Sequence, residues 1–209
     1  MTTTKNLLLW LAFLCVFTAC SDKEEDPAPE ETTTAAAGLD YFPTTAGSTW
    51  SYEGDLTYSY KSLGTKKVIN GKSYTEFEQN QNGTISTIYV FKEAGSYTLY
   101  TAVAGVGNIE LTVLKENEPE GGSWSTTTVI NGLTTRYTYT LVKKGLTKTV
   151  LGKEYKNVIQ VKLATVVLFQ GMEIPFDQPF NYYFAKGVGQ IMSELGSSGT
   201  VSLKSYTIK

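Results

Sequence analysis

The chain has 209 residues, 18 Lys and Arg against 20 Asp and Glu for a net charge of −2, no histidine, and two cysteines, Cys15 and Cys20. That length suits one domain of roughly 100–200 residues with appendages. The absence of histidine and the placement of both cysteines near the N-terminus exclude His-dependent general bases, Ser-His-Asp triads, His/Cys zinc sites and a disulfide in the body.

In chain order, Lys5 supplies a short positive region and Leu7 to Ala19 an apolar run. That run is too short to cross a ~30 Å hydrocarbon layer comfortably as a helix, so residues 1–19 read as an export signal and Cys15 is discarded with them. After Cys20 the acids Asp22, Glu24, Glu25, Asp26, Glu30 and Glu31 outnumber the single Lys23. Pro27 to Gly38 has too little apolar surface to fold alone, and residues 20–39 form a flexible tether with an r.m.s. reach of about 25 Å.

Phe17-Thr18-Ala19-Cys20 resembles a bacterial lipobox, with Phe17 where that family prefers Leu. The resemblance implies palmitate-type acyl chains on Cys20 and anchorage in the outer membrane. Several chains at ~0.8 kcal/mol per buried CH₂ hold a protein where a single one would not. Ser21-Asp22-Lys23-Glu24-Glu25-Asp26 resembles the lipoprotein export signal of Bacteroidetes, in which acids after the lipidated cysteine send the protein to the outer face of the outer membrane. A plain solvated spacer is the alternative reading of the same acids.

From residue 40 to 209 the pattern becomes that of a single all-β domain. Leu56, Tyr58 and Tyr60 alternate with polar residues, as do Tyr137, Tyr139 and Leu141, and the run Val158 to Leu163 has the same period of two. Asn70-Gly71, Asn82-Gly83 and Asn131-Gly132 are hairpin signals, because a type I′ turn needs φ > 0 at both central residues. Together these predict an antiparallel meander in one large, curved sheet, a half-barrel or open barrel, with little helix after the signal. Separate strands are expected at 56–63 and 65–69, at 133–143 and 147–151, and at 180–185. Residues 170–180, with Pro175 and Pro179, are expected to form a loop that covers the sheet or closes over a ligand. Lys66 to Tyr74 echoes Lys148 to Tyr155, each a strand, a tight turn and a returning strand that opens near a tyrosine.

Three stretches carry a second resemblance: Tyr41-Phe42-Pro43 with Gly47, Trp50 and Tyr52; Gly152 to Val161; and Tyr182-Tyr183-Phe184-Ala185-Lys186-Gly187-Val188-Gly189. They resemble a layout recurrent in Bacteroidetes lipoproteins of unknown function. It implies a curved antiparallel sheet similar to the lipoprotein-carrier fold, although no covering helices are visible in this sequence.

Candidates for chemistry are few. Glu173 and Asp177 could serve a carboxylate-based hydrolase. Glu116, Glu118 and Glu120 gather oxygen donors without the Asp-x-Asp spacing of a calcium loop. Trp50 and Trp124 could stack on a glycan, although aromatics at period two are more often core. The expected role is therefore non-catalytic, without a cofactor or metal. It is a surface lipoprotein that holds a small apolar ligand or a glycan, with a structural or protein-interaction module as the alternative. No basic track with interleaved aromatics suggests a nucleic-acid partner.

Overall fold

A computed structural model describes residues 40–103, 107–130, 132–170 and 172–209, without the side chains of residues 103, 176 and 177. The export signal, Cys20, the acidic run from Ser21 to Asp26 and the tether lie outside the described residues.

Period-two alternation builds twelve strands: β1 (Thr49–Gly54), β2 (Tyr58–Ile69), β3 (Lys72–Gln81), β4 (Thr84–Glu93), β5 (Ser96–Val103), β6 (Gly107–Lys115), β7 (Ser123–Ile130), β8 (Leu133–Val150), β9 (Lys153–Phe169), β10 (Met172–Ala185), β11 (Gly189–Glu194) and β12 (Thr200–Thr207). The one helical element among the described residues is a 3-10 turn at Gly196–Ser198. All twelve strands form one sheet in the order β6-β5-β4-β3-β2-β1-β12-β11-β10-β9-β8-β7. Each hairpin is antiparallel to the next, and β1 joins β12 through pairs such as Thr49 with Thr207 and Gly54 with Val201. The expected meander is therefore present, and it curls until its two edges, β6 and β7, lie side by side without a ladder between them. The result is a barrel with a seam.

The seam is held by side chains. Trp124 of β7 donates its indole N–H to the Thr112 carbonyl of β6 at 2.6 Å. Its ring stacks on Tyr139 at 5.8 Å, with 9° between the planes, and Lys115 of β6 lies 5.7 Å above it.

The echo seen in the sequence extends through two halves, β1–β6 and β7–β12. Each half opens on a glycine with positive φ three residues before a tryptophan, Gly47 before Trp50 and Gly121 before Trp124. In each, the second strand breaks register around a left-handed glycine, Gly64 in β2 and Gly145 in β8. Gly64 precedes the turn residue Asn70 by the same interval that separates Gly145 from Leu151. These breaks are bulges, which bend a strand and increase its twist. The strands expected separately at 56–63 and 65–69, and at 133–143 and 147–151, are therefore single bent strands.

The turns follow the predicted chemistry at Asn70-Gly71 and Asn82-Gly83, where all four residues have positive φ. Asn131 lies outside the described residues. Leu151-Gly152 makes the same turn with φ of 48° on Leu151, although leucine gave no signal for it.

Residues 172–180 depart from the expected loop and belong to β10. Met172 to Phe176 pair with β9, from Phe169 back to Thr165. β11 pairs with β10 only at Asn181–Ala185, so the earlier part of β10 is a free edge on that side. An edge tolerates Pro175 and Pro179, because the missing N–H costs no ladder bond there. Met172 and Ile174 are exposed rather than packed over the sheet.

The floor of the barrel is the segment that leads into β1. Ser62 of β2 donates through its backbone to the Ser48 carbonyl and through its hydroxyl to the Thr44 carbonyl, while Gly47 donates back to Ser62. Asp40 accepts a hydrogen bond from Gly187 and pairs with Lys92 at 2.5 Å. A side chain at Gly64 would collide with Ala46, so the β2 bulge also makes room for this segment. Phe42 packs edge-on against Phe77 at 5.9 Å and touches both hydrophobic clusters of the core.

One cluster includes Trp50, Tyr52, Phe77, Val90, Val201 and Leu203. The other includes Tyr97, Leu114, Trp124, Tyr139, Leu141, Ile159, Val161 and Phe184. In β9 and β10, Ile159 and Phe184 point inward, yet their neighbours Val158 and Tyr183 are buried as well. These neighbours pack with Val150 and Tyr155 near the β8–β9 turn, and Lys148 sits 3.7 Å above the Tyr183 ring.

Candidate ligand cavity

The inward faces leave a cavity of about 540 Å³, within the 300–1,000 Å³ typical of small-molecule sites. Alternation places Tyr58 and Tyr60 of β2, Tyr137 and Tyr139 of β8, and Phe180, Tyr182 and Phe184 of β10 around it, with Leu99, Val113 and Leu163 between them. Phe42 closes the floor, and the exposed residues Leu56 and Gln178 stand at the opposite end, by the mouth.

The wall is rigid where its aromatics interlock. Tyr52 stacks on Tyr58 at 4.8 Å and meets Tyr60 edge-on at 5.8 Å. Tyr52 donates its hydroxyl to the Gln190 carbonyl at 2.9 Å, and Gln190 donates its amide to the Ser193 hydroxyl at 2.9 Å. Burial pushes the Tyr58 hydroxyl up to about 12, although hydrogen bonds with Gln190 and Ser193 oppose the shift. Burial likewise raises Tyr60 and Tyr139 far above the ordinary phenol value and Tyr182 to about 12, each helped by neighbouring phenols. Tyr60 and Tyr182 keep some accessible surface, and both line the cavity.

The other candidates are placed as follows. Glu173 pairs with Arg136 at 2.6 Å on the exposed surface, and the Asp177 side chain lies outside the described ones. Glu116 accepts from the Tyr97 hydroxyl at 3.3 Å, and its backbone carbonyl receives Lys144 at 2.6 Å. Glu120 accepts from the Lys144 backbone and from Lys143, which together lower its pKa. Lysines thus take up the acidic loop, and no group of three metal-type side chains occurs among the described residues. Both tryptophans of the body are turned inward: Trp50 is 4% exposed and donates to the Val188 carbonyl at 2.7 Å. Neither can serve as an exposed platform for a glycan.

Period-two alternation gave the tyrosines of the wall. It did not give Phe42 as the floor, although Tyr41-Phe42-Pro43 stood out, because plugging a barrel end depends on closure and not on local pattern. The polar pair Gln190 and Ser193 escaped it too: three positions apart, they would fall on opposite faces of a regular strand, and the bulge at Ile191 opposite Tyr183 and Phe184 brings both to the cavity.

No family model and no curated sequence matches the chain. Two solved structures share its fold. One is a protein provisionally described as a lipoprotein from Parabacteroides distasonis, with 13% identity and a TM-score of 0.52 over 81% of this chain and 99% of that one. The other is a protein provisionally described as exported, with a YmcC-like fold, from Bacteroides fragilis, with 9% identity and a TM-score of 0.53 over the same shares. The curved antiparallel sheet expected from the sequence is thus a fold already seen in Bacteroidetes proteins.

Proposed function

We propose that this chain is a lipid-anchored lipoprotein of the cell envelope, held in the outer membrane by acyl chains on Cys20 and facing the exterior, whose barrel binds a small apolar molecule without chemical turnover. The observation that carries the binding role is the cavity, lined mostly by apolar and aromatic side chains with a few polar groups among them. The address is supported by the lipobox-like Phe17 to Cys20 and the acids after it, and by the descriptions of the two proteins that share the fold.

Native mass spectrometry of the full chain purified from its host tests the binding role. The expected result is an added mass on the acylated protein that disappears when Leu163→Trp fills the cavity. A bare protein mass, or an added mass that Leu163→Trp leaves in place, would count against the cavity. Replacing Asp22, Glu24, Glu25 and Asp26 by Ala tests the address, with loss of protease accessibility on whole cells expected. Unchanged exposure would reduce those acids to a spacer.

A further inference from the structure

The cavity is lined with more hydroxyls than the protein satisfies. No hydrogen bond among the described residues reaches the hydroxyls of Tyr60, Tyr139 or Tyr182, whose surroundings are burial and other phenols alone. This differs from Tyr58, which Gln190 and Ser193 serve. Tyr139 is 2% exposed. The hydroxyls of Tyr74 and Tyr206 are sealed in the protein without a partner, whereas these three residues line the cavity, so their hydroxyls are the donors its wall offers to an occupant.

The same wall defines what that occupant can be. Among the described side chains, no Lys, Arg, Asp or Glu lines the cavity. A carboxylate or phosphate brought inside would lose its hydration and meet no cation, which burial of a charge requires. A plain hydrocarbon would leave the three phenols unpaired. Size adds a third limit: about 540 Å³ lies in the middle of the 300–1,000 Å³ range of small-molecule sites. That suits one chain and not two.

Resting on the apolar-ligand reading, we propose that the cavity takes an uncharged single-chain lipid with ester, amide or alcohol oxygens in its head, and that Tyr60, Tyr139 and Tyr182 donate hydrogen bonds to those oxygens. The ring faces of these residues hold the chain, and their hydroxyls fix the depth of its head.

The test is competition for the fluorescent neutral probe N-phenylnaphthylamine on the chain from residue 20 onward, with Cys20→Ser so that no acyl chain of its own interferes. Monopalmitoylglycerol, palmitate at about pH 8, where it is ionised, and hexadecane share one chain length and differ in the head. Monopalmitoylglycerol is expected to compete at least about tenfold more tightly than either of the others. The double variant Tyr60→Phe/Tyr182→Phe is expected to bring its advantage over hexadecane close to one. Tyr139→Phe, whose ring still supports the seam, is expected to reduce that advantage in part. Palmitate binding as well as the glyceride, or phenylalanine variants that keep the glyceride's advantage, would overturn the neutral-head assignment and leave the apolar cavity standing. If neither probe nor any competitor binds, the cavity reading itself falls.

Discussion

Trp124→Phe isolates what holds the seam. The substitution keeps a ring over Tyr139 and beneath Lys115, but it removes the indole N–H that reaches Thr112 at 2.6 Å. Leaving that carbonyl unpaired costs about 1–3 kcal/mol, and a reduced stack and cation–π contact add a few tenths, so about 2 kcal/mol is expected. For a domain of this size each kcal/mol moves Tm by about 2–4 °C, so a fall of about 4–8 °C follows. Trp124→Ala also empties the ring's site, and about 4 kcal/mol is expected. Urea unfolding followed by far-ultraviolet circular dichroism gives the totals. Hydrogen exchange locates them: amides of β6 and β7 should exchange faster in Trp124→Phe while those of β1 and β12 keep their protection up to the new global limit. Uniform acceleration across the sheet, or a stability loss under about 0.5 kcal/mol, would refute the view that this indole fastens the seam.

Three further outcomes are expected. Leu151→Asn should stabilise the protein by about 0.5–1 kcal/mol in the same urea assay, because Leu151 holds φ of 48° in a turn that favours asparagine while its side chain is largely exposed. Gly54→Ala should cost about 3 kcal/mol or more, or prevent folding, since φ there is 131° and a Cβ would strike the Thr200 carbonyl across the β1–β12 join. In base, the buried phenols should drive unfolding. Their folded pKa values lie above the unfolded value near 10, so their contribution is complete below about pH 10 and is lost as pH rises toward about 12 for Tyr58 and Tyr182. Each such group gives a slope of about 1.4 kcal/mol per pH unit in that window. Tyrosinate absorbance should then rise together with loss of circular dichroism. A rise that completes near pH 10 while the sheet stays intact would contradict that burial.

Local pattern carried much of the architecture. Alternation around Tyr58, Tyr60, Tyr137 and Tyr139 placed the wall because inward and outward positions repeat every second residue, and the pairs Asn70-Gly71 and Asn82-Gly83 placed turns because asparagine and glycine accept positive φ cheaply. What escaped depended on neighbours. Pro175 and Pro179 argued against a strand, yet β11 ends short of them and leaves β10 an edge. The bulges at Gly64 and Gly145 read as strand breaks because a bend and an end look alike in one dimension. The repeat of Gly-x-x-Trp at Gly47 and Gly121 was present in the sequence and pointed to two matching halves, but its meaning needed the strand order. The unpaired hydroxyls of Tyr60, Tyr139 and Tyr182 were beyond local reading, since a missing partner is a property of the assembled space.

The join of β1 to β12 sets when this protein can be finished. Lys209 donates to the Ser48 hydroxyl across 161 positions, and Trp50 reaches Val188 across 138. Every other strand pairing is with a sequence neighbour, so the two halves can each zip as local hairpins. The step that unites them must close nearly the whole body at once, and such distant pairings slow folding toward the millisecond-to-second range. Until residue 207 is synthesised, β1 has one partner, Phe42 has an incomplete barrel to close, and both aromatic faces stand open to water. The enclosed cavity therefore arrives late and all together.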